Sequence, residues 1–364
     1  MRGPLNLCAA FSDSFIRRKV MNGIKTGILG QKDVILSRNL GKISDMTIFN
    51  NPHYYHNDGF KLAYYETGPQ DGVPILLVHG WPELAFSWSN QMPALAAKGY
   101  RAIAVDVRGF GHSDAPSGVG HYGIAQIVSD LEALIDHLGL DQVVLLGHDW
   151  GGIIVWHAAR FLAARVSHVI SVSTPHVKLS PIDPIEIFRK RFGDDHYFVD
   201  FHDNYGRADK LFAKDPHAFF KMMFRSTPQG AVMEAKHTHI PKNYAAYVAA
   251  GAPDMKGAIM SADDLAYYAR GYERSGFHGG INLYRNTTAN WMLGQGLSLK
   301  IPQPSLMVSA REDLFLPPEF TNHMPGLIPQ LERHIIENCG HWVMWEQPER
   351  LNKLLLDWLG RQNL

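Results

Sequence analysis

The chain has 364 residues, 46% hydrophobic and 19% charged, with Lys+Arg and Asp+Glu balanced at 35 each. That length accommodates a large core plus an inserted segment, and the charge balance excludes a global basic field for nucleic acid or an anionic membrane. No apolar run reaches a membrane span, and the two cysteines, Cys8 and Cys339, lack metal spacing, which argues against a disulfide framework and for the reducing cytoplasm.

The first 45 residues stand apart, with eight Lys/Arg against three acids. They have no continuous apolar stretch of the secretory kind. We expect an extension here, or a start at Met21 or Met46, in preference to an organelle transit peptide. Strand-like runs then follow in order: Leu62–Glu66, Ile75–Val78, Ala102–Val105, Val143–Leu146 and Val169–Val172, and later Leu306–Val308 and His334–Ile336. Most are short and continuously apolar, as parallel strands buried on both faces must be. Helical patterns lie between several of them, including the apolar stripe of Ile127 to Leu138 and a C-terminal helix opened by Pro348. The alternation predicts an α/β class with helices on both faces of a mostly parallel sheet.

Between Val177 and Gly296 the alternation stops. Aromatics at helical spacing replace strand runs, and Ser261-Ala262-Asp263-Asp264 reads as a capping box. This interval is expected to be a helical lid over the C-terminal edge of the sheet, where ligands of open α/β sheets bind. The expected division is 1–45 extension, 46–176 first core part, 177–296 cap and 297–364 second core part.

The chemistry centres on Gly147-His148-Asp149-Trp150-Gly151-Gly152, between the run Val143–Leu146 and the helix-like Ile153–Arg160. A small-x-nucleophile-x-small pattern there is the sharp turn that exposes a nucleophile above a sheet. Small residues serve it because the turn is strained and its backbones approach closely. The nucleophile position holds Asp149. A carboxylate is already ionised, so it needs no base to attack carbon, and its attack leaves an ester on the enzyme. Water must then cleave that ester with the help of a general base. His341, after the last strand, is the candidate. Asp313, after Leu306–Val308, is the acid expected to orient it, with Glu312 as its rival. The order Asp149, Asp313, His341 is nucleophile, acid, base. The Trp150 N–H and the Trp81 N–H, in His79-Gly80-Trp81-Pro82, are the expected backbone donors of an oxyanion hole.

His79-Gly80-Trp81-Pro82-Glu83 with Ser87-Trp88, Gly99-Tyr100-Arg101, Asp106-Val107-Arg108-Gly109-Phe110-Gly111 and the turn Gly147 to Gly152 together resemble the epoxide hydrolases of the α/β-hydrolase fold. Lid segments Phe220 to Arg225, Ser275-Gly276-Phe277 and Leu283-Tyr284-Arg285-Asn286 resemble those of soluble epoxide hydrolases, as does the tail from Ser305 to Leu359. The likeness runs from about Tyr54 to the C-terminus. It implies two lid tyrosines that bond the epoxide oxygen and protonate it. Tyr284 matches one. Tyr197, in register with Phe201, is chosen as the other, with Tyr205 as the fallback.

The resemblance implies no metal and no organic cofactor. The reactants would be a small apolar epoxide and water, the product a vicinal diol, and the assembly to test a homodimer. A haloalkane or haloacid dehalogenase is the alternative. Many haloalkane dehalogenases carry Asn where this chain has Trp81, and fluoroacetate dehalogenases carry Arg where it has Trp150. A non-catalytic small-molecule binder on the same fold would be expected to have lost a triad member.

Overall fold

Continuous aliphatic runs make the central strands because both of their faces are covered. β3 (Pro74–Val78), β4 (Arg101–Asp106) and β5 (Val143–His148) are buried almost throughout, as two-sided burial in a parallel sheet requires. The computed structural model describes residues 48–364, so the basic stretch through residue 45 lies outside the described residues. The remaining strands are β1 (His53–Asn57), β2 (Phe60–Thr67), β6 (Val166–Val172), β7 (Ser305–Ala310) and β8 (Leu331–Ile336). The sheet order is β1-β2-β4-β3-β5-β6-β7-β8. β2 pairs antiparallel with β1 and β4, and every other pairing is parallel.

β1 was not among the apolar runs. It joins β2 through Asp58-Gly59, whose φ values are 52° and 80°. Two residues at positive φ make a type I′ hairpin turn, for which Asp-Gly is a preferred pair.

Four helices flank the sheet: α1 (Met92–Ala96), α2 (Ile124–His137), α3 (Trp150–Phe161) and α13 (Pro348–Leu359). α2 packs against α3, and α1 against α13. From β3 the chain crosses through α1 outward to β4, then returns through α2 to β5 on the other side. Right-handed crossovers in opposite directions put their helices on opposite faces. They also leave a crevice where the C-terminal loops of β3 and β5 diverge, the switch point at which such sheets bind ligands.

Between β6 and β7 the described chain carries helices α4 (Pro184–Phe192), α5 (Tyr197–Asp203), α6 (Arg207–Phe212), α7 (Pro216–Met223), α8 (Ile240–Ala249), α9 (Ala262–Ser275), α10 (His278–Arg285) and α11 (Thr287–Gly294). The capping box closes at α9: Ser261 Oγ accepts the Asp264 N–H at 3.2 Å and Asp264 Oδ2 accepts the Ser261 N–H at 3.0 Å. An aromatic cluster holds the insertion together, with ring centroids 4.4 Å apart for Phe212 and Phe219 and 5.0 Å for Phe219 and Phe277. No helix among the described residues is long and apolar enough to cross a membrane.

The start of α3 is pressed against β3. A Cβ on Gly151 would lie 1.9 Å from the Val78 carbonyl oxygen and 2.6 Å from its carbon. Backbone atoms of a central strand cannot move aside. We expect Gly151→Ala to destabilise the protein by about 3 kcal/mol or more. Gly120→Ala, where a Cβ meets nothing within 4 Å, should stay within about 0.5 kcal/mol. Urea unfolding of the two variants checks this, and equal midpoints would refute the close approach.

Candidate active site

Asp149 occupies the residue between β5 and α3, at φ 51° and ψ −121°. Its carbonyl accepts the Ile153 N–H at 3.2 Å and the Thr174 hydroxyl at 2.8 Å. The backbone is thus held on both sides of the turn, and the side chain stands above the sheet. Its Oδ1 accepts the Trp81 N–H at 2.8 Å, and the Trp150 N–H also bonds the carboxylate. The loop after β3 comes this close because Gly80 has no Cβ: one would meet Asp149 Cβ at 2.4 Å.

His341 follows β8. Its Nδ1 lies 2.8 Å from Asp313 Oδ2 and its Nε2 lies 3.8 Å from Asp149 Oδ2. Asp313 Oδ1 accepts the Phe315 and Leu316 N–H groups, each at 3.0 Å. A carboxylate so held is an acceptor, so Nδ1 carries the proton and Nε2 faces Asp149. Glu312 points elsewhere, to the Cys339 N–H at 2.7 Å. Asp149, Asp313, His341, Trp81 and Trp150 therefore meet at the switch point of the sheet.

Burial disfavours charge throughout this site, and specific partners oppose it. For His341, burial alone would lower the pKa; the charge of Asp313, its hydrogen bond and the charge of Asp149 outweigh burial and lift it to about 9. For Asp313, burial raises the pKa, and His341 with the two N–H donors brings it below the ordinary carboxylate value. For Asp149 burial wins, leaving its pKa raised despite His341, His148 and the Trp81 and Trp150 N–H groups.

The helical insertion brings two tyrosines over the carboxylate. Tyr284, on α10, sits edge-on to Trp150 and Trp81 with centroids at 5.0 and 5.3 Å. Tyr197, the first residue of α5, has its ring 5.4 Å from that of Tyr284. Burial, followed by the charges of Asp149 and Asp313, pushes the Tyr197 hydroxyl well above its ordinary value, against a bond with Tyr284. Burial, followed by Tyr197 and the Asp149 charge, does the same for Tyr284, against a bond with Trp150. Both hydroxyls keep their protons through neutral pH. Tyr205 instead lies 66% exposed on the surface, under the Arg285 guanidinium. Among the described residues no group of three or more His, Cys, Asp or Glu is arranged to hold a metal ion.

One buried pair at the site carried no role in the sequence reading. His148 Nδ1 lies 2.9 Å from Glu83 Oε2, and its Nε2 lies 2.9 Å from the His341 carbonyl. Glu83 Oε2 also accepts the Gly80 N–H at 2.6 Å. The pair ties the loop after β3 to the backbone of His341. Both residues stand inside the motifs singled out above, but a motif does not reveal that they face each other.

The model of the α/β-hydrolase fold family matches residues 73–348. Bifunctional epoxide hydrolase 2 of Sus scrofa is 35% identical over 307 residues, 83% of this chain and 53% of that protein. The chain thus spans about half the length of the mammalian proteins it matches. Epoxide hydrolase A of Mycobacterium tuberculosis is 33% identical, over 83% of this chain and 95% of that one. Among solved structures, epoxide hydrolase A from Mycobacterium thermoresistibile superposes with a TM-score of 0.77 at 31% identity, covering 86% of this chain and 99% of the other. With the elbow at Asp149, the mostly parallel sheet and the helical insertion, these similarities show that the chain belongs to the α/β-hydrolase fold family, among its epoxide hydrolases.

Proposed function

We propose that this protein hydrolyses a small apolar epoxide to a vicinal diol through an alkyl ester on Asp149. The observation that carries the reading is the pair of protonated tyrosines, Tyr197 and Tyr284, facing an ionisable carboxylate in the nucleophile's position. In the first step Asp149 attacks an epoxide carbon. The C–O bond of the ring breaks, both phenols donate hydrogen bonds to the departing oxygen, and one of them gives it its proton and is left as the phenolate. Burial is the larger cause of both raised tyrosine pKa values, but the Asp149 charge adds to it, and esterification removes that charge. The hydroxyls therefore become better acids as the oxygen needs a proton.

In the second step His341, oriented by Asp313, takes a proton from water as it attacks the ester carbonyl. The Trp81 and Trp150 N–H groups stabilise the resulting oxyanion, which collapses as the bond from the carbonyl carbon to the diol oxygen breaks. His341 returns its proton to that oxygen, and the remaining proton of the attacking water passes from the Asp149 carboxyl to the phenolate. The base is primed by the first step: with Asp149 neutralised, one of the charges holding His341 at about 9 is gone, and the imidazole loses its proton more readily. This reading keeps the cytoplasm as the location and a homodimer as the assembly to test.

A single turnover in ¹⁸O water tests the covalent route. Label should enter the Asp149 carboxylate and be absent from the first diol, whereas label in that first diol sinks the reading. Halide release from chloroalkanes, without diol formation from epoxides, would assign the dehalogenase chemistry instead. His341→Gln should accumulate the ester, seen as an intact-mass increase equal to the epoxide.

Stopped-flow tryptophan fluorescence isolates ester formation. Tyr284→Phe and Tyr197→Phe should each slow it by about 10²–10⁴-fold, the usual worth of a general acid, while Tyr205→Phe leaves it unchanged. A slow Tyr205→Phe beside a normal Tyr197→Phe would transfer the role.

Ester hydrolysis should rise with pH as His341 deprotonates, with its midpoint below the free-enzyme value of about 9. Single-turnover hydrolysis across pH, set against NMR titration of His341 in the resting protein, checks the sign. A midpoint at or above the resting value would show that Asp149 does not hold the proton on His341.

A further inference from the structure

The ring of His341 is held by Asp313, but its backbone is held by a different acid. Glu346 ends the short helix α12 (Val343–Glu346), five residues after the base. Its Oε2 accepts the Gly340 N–H at 2.9 Å and its Oε1 accepts the Trp342 N–H at 3.1 Å. One carboxylate thus takes the peptide N–H on each side of His341. The His341 carbonyl is fixed in turn by His148 Nε2 at 2.9 Å and the Ser173 hydroxyl at 3.4 Å.

The bond to Trp342 is an ordinary helix cap, since Trp342 is the residue preceding α12. The bond to Gly340 is not. It lies outside the helix, spans the base, and does nothing for the helical turn. The two N–H groups meet different oxygens of Glu346, an arrangement that a carboxylate satisfies and an amide, with one acceptor oxygen, does not. An imidazole tied at Nδ1 alone can pivot about that bond and swing Nε2 away from the ester carbon. Holding the Gly340 and Trp342 N–H groups fixes the backbone from which the ring extends, so the imidazole has a second fixed point besides the Nδ1 bond and its swing is restricted.

We propose that Glu346 is a positioning residue for the second half of the reaction, holding His341 so that Nε2 stays directed at the ester on Asp149. The inference rests on the two-step reaction proposed above. Glu346 touches no reacting atom, and it has no part in ester formation, which needs no base.

Glu346→Gln keeps the size of the side chain and one acceptor oxygen but sets an NH₂ against the second N–H. In single turnovers, ester hydrolysis should slow by about 10–100-fold, the usual penalty for losing an orienting partner, while ester formation keeps the wild-type rate. A readout independent of turnover is the downfield proton resonance of His341 Nδ1–H in the Asp313 bond, which should shift or broaden in the variant. Glu346→Asp retains the charge but is one methylene too short to reach both N–H groups, and should behave as the Gln variant does. Equal loss in both steps, or wild-type hydrolysis in either variant, overturns the proposal. An unchanged Nδ1–H resonance in both variants overturns it whatever the chemistry. Wild-type protein that forms no ester at Asp149 would instead refute the reaction, and the resonance would still report on the clamp.

Discussion

Asp149 stands at φ 51°, a backbone angle that L-residues avoid. Holding one such residue costs on the order of 1–3 kcal/mol and persists only where the surroundings over-determine it. Here β5 fixes one side of the turn and α3 the other, and the Thr174 hydroxyl and the Ile153 N–H bind the carbonyl between them. The rest of the site depends on that arrangement. The side chain lies against the loop that follows β3, one of the two strands flanking β5. The Trp81 N–H therefore reaches the carboxylate without any lid or loop closing first.

A carboxylate in the nucleophile's position changes what the proposed base must do. In a serine elbow the base has to touch the nucleophile, because it must remove a proton. Here Nε2 and Oδ2 are 3.8 Å apart, beyond a hydrogen bond, and nothing in the first proposed step requires one. The separation and the raised pKa of His341 fit an ion pair that waits. In the proposed reaction, esterification would dissolve the pair by consuming one charge and release the base at the moment a base is useful. In the proposed reaction the same loss of charge lowers the tyrosine pKa values, while the burial that is their larger cause remains. One electrostatic event thus serves both ends of the reaction, and burial makes it large.

The core was legible in the sequence wherever a strand is buried on both faces, because such strands read as unbroken aliphatic runs. β3, β4, β5 and β7 are of that kind. β1 is not: His53-Tyr54-Tyr55-His56-Asn57 is mostly exposed at the edge of the sheet, and its one signal was the Asp-Gly turn that follows. The elbow was legible because steric demand there leaves few residue choices, as the contact of Gly151 with Val78 makes plain. Asp313 and His341 could be proposed from their places after strands. The contacts of Glu83 with His148, and of Glu346 with the peptides around His341, depend on how loops fold back. Neither has a spacing rule, so neither could be read before the fold was known.

The helical insertion is joined to the chemistry through tryptophans that stand beside the site groups in the chain. Trp81 gives its N–H to Asp149 and its ring to Phe201, Phe219 and Tyr284, with centroids 5.5, 6.0 and 5.3 Å away. Trp150, directly after the nucleophile, meets Tyr284 at 5.0 Å. Trp342, directly after the base, packs on Phe224 at 4.8 Å and donates its indole N–H to the Met223 carbonyl at 3.1 Å. Three of the four sheet loops that carry the site, those after β3, β5 and β8, therefore have a rigid aromatic side chain anchored in the insertion. Because close-packed interiors transmit displacement, a shift of the insertion moves the tyrosines and these loops together. The insertion is a wall of the site packed against the proposed nucleophile, base and acids, so substitutions among its packing aromatics should disturb the proposed reaction from a distance.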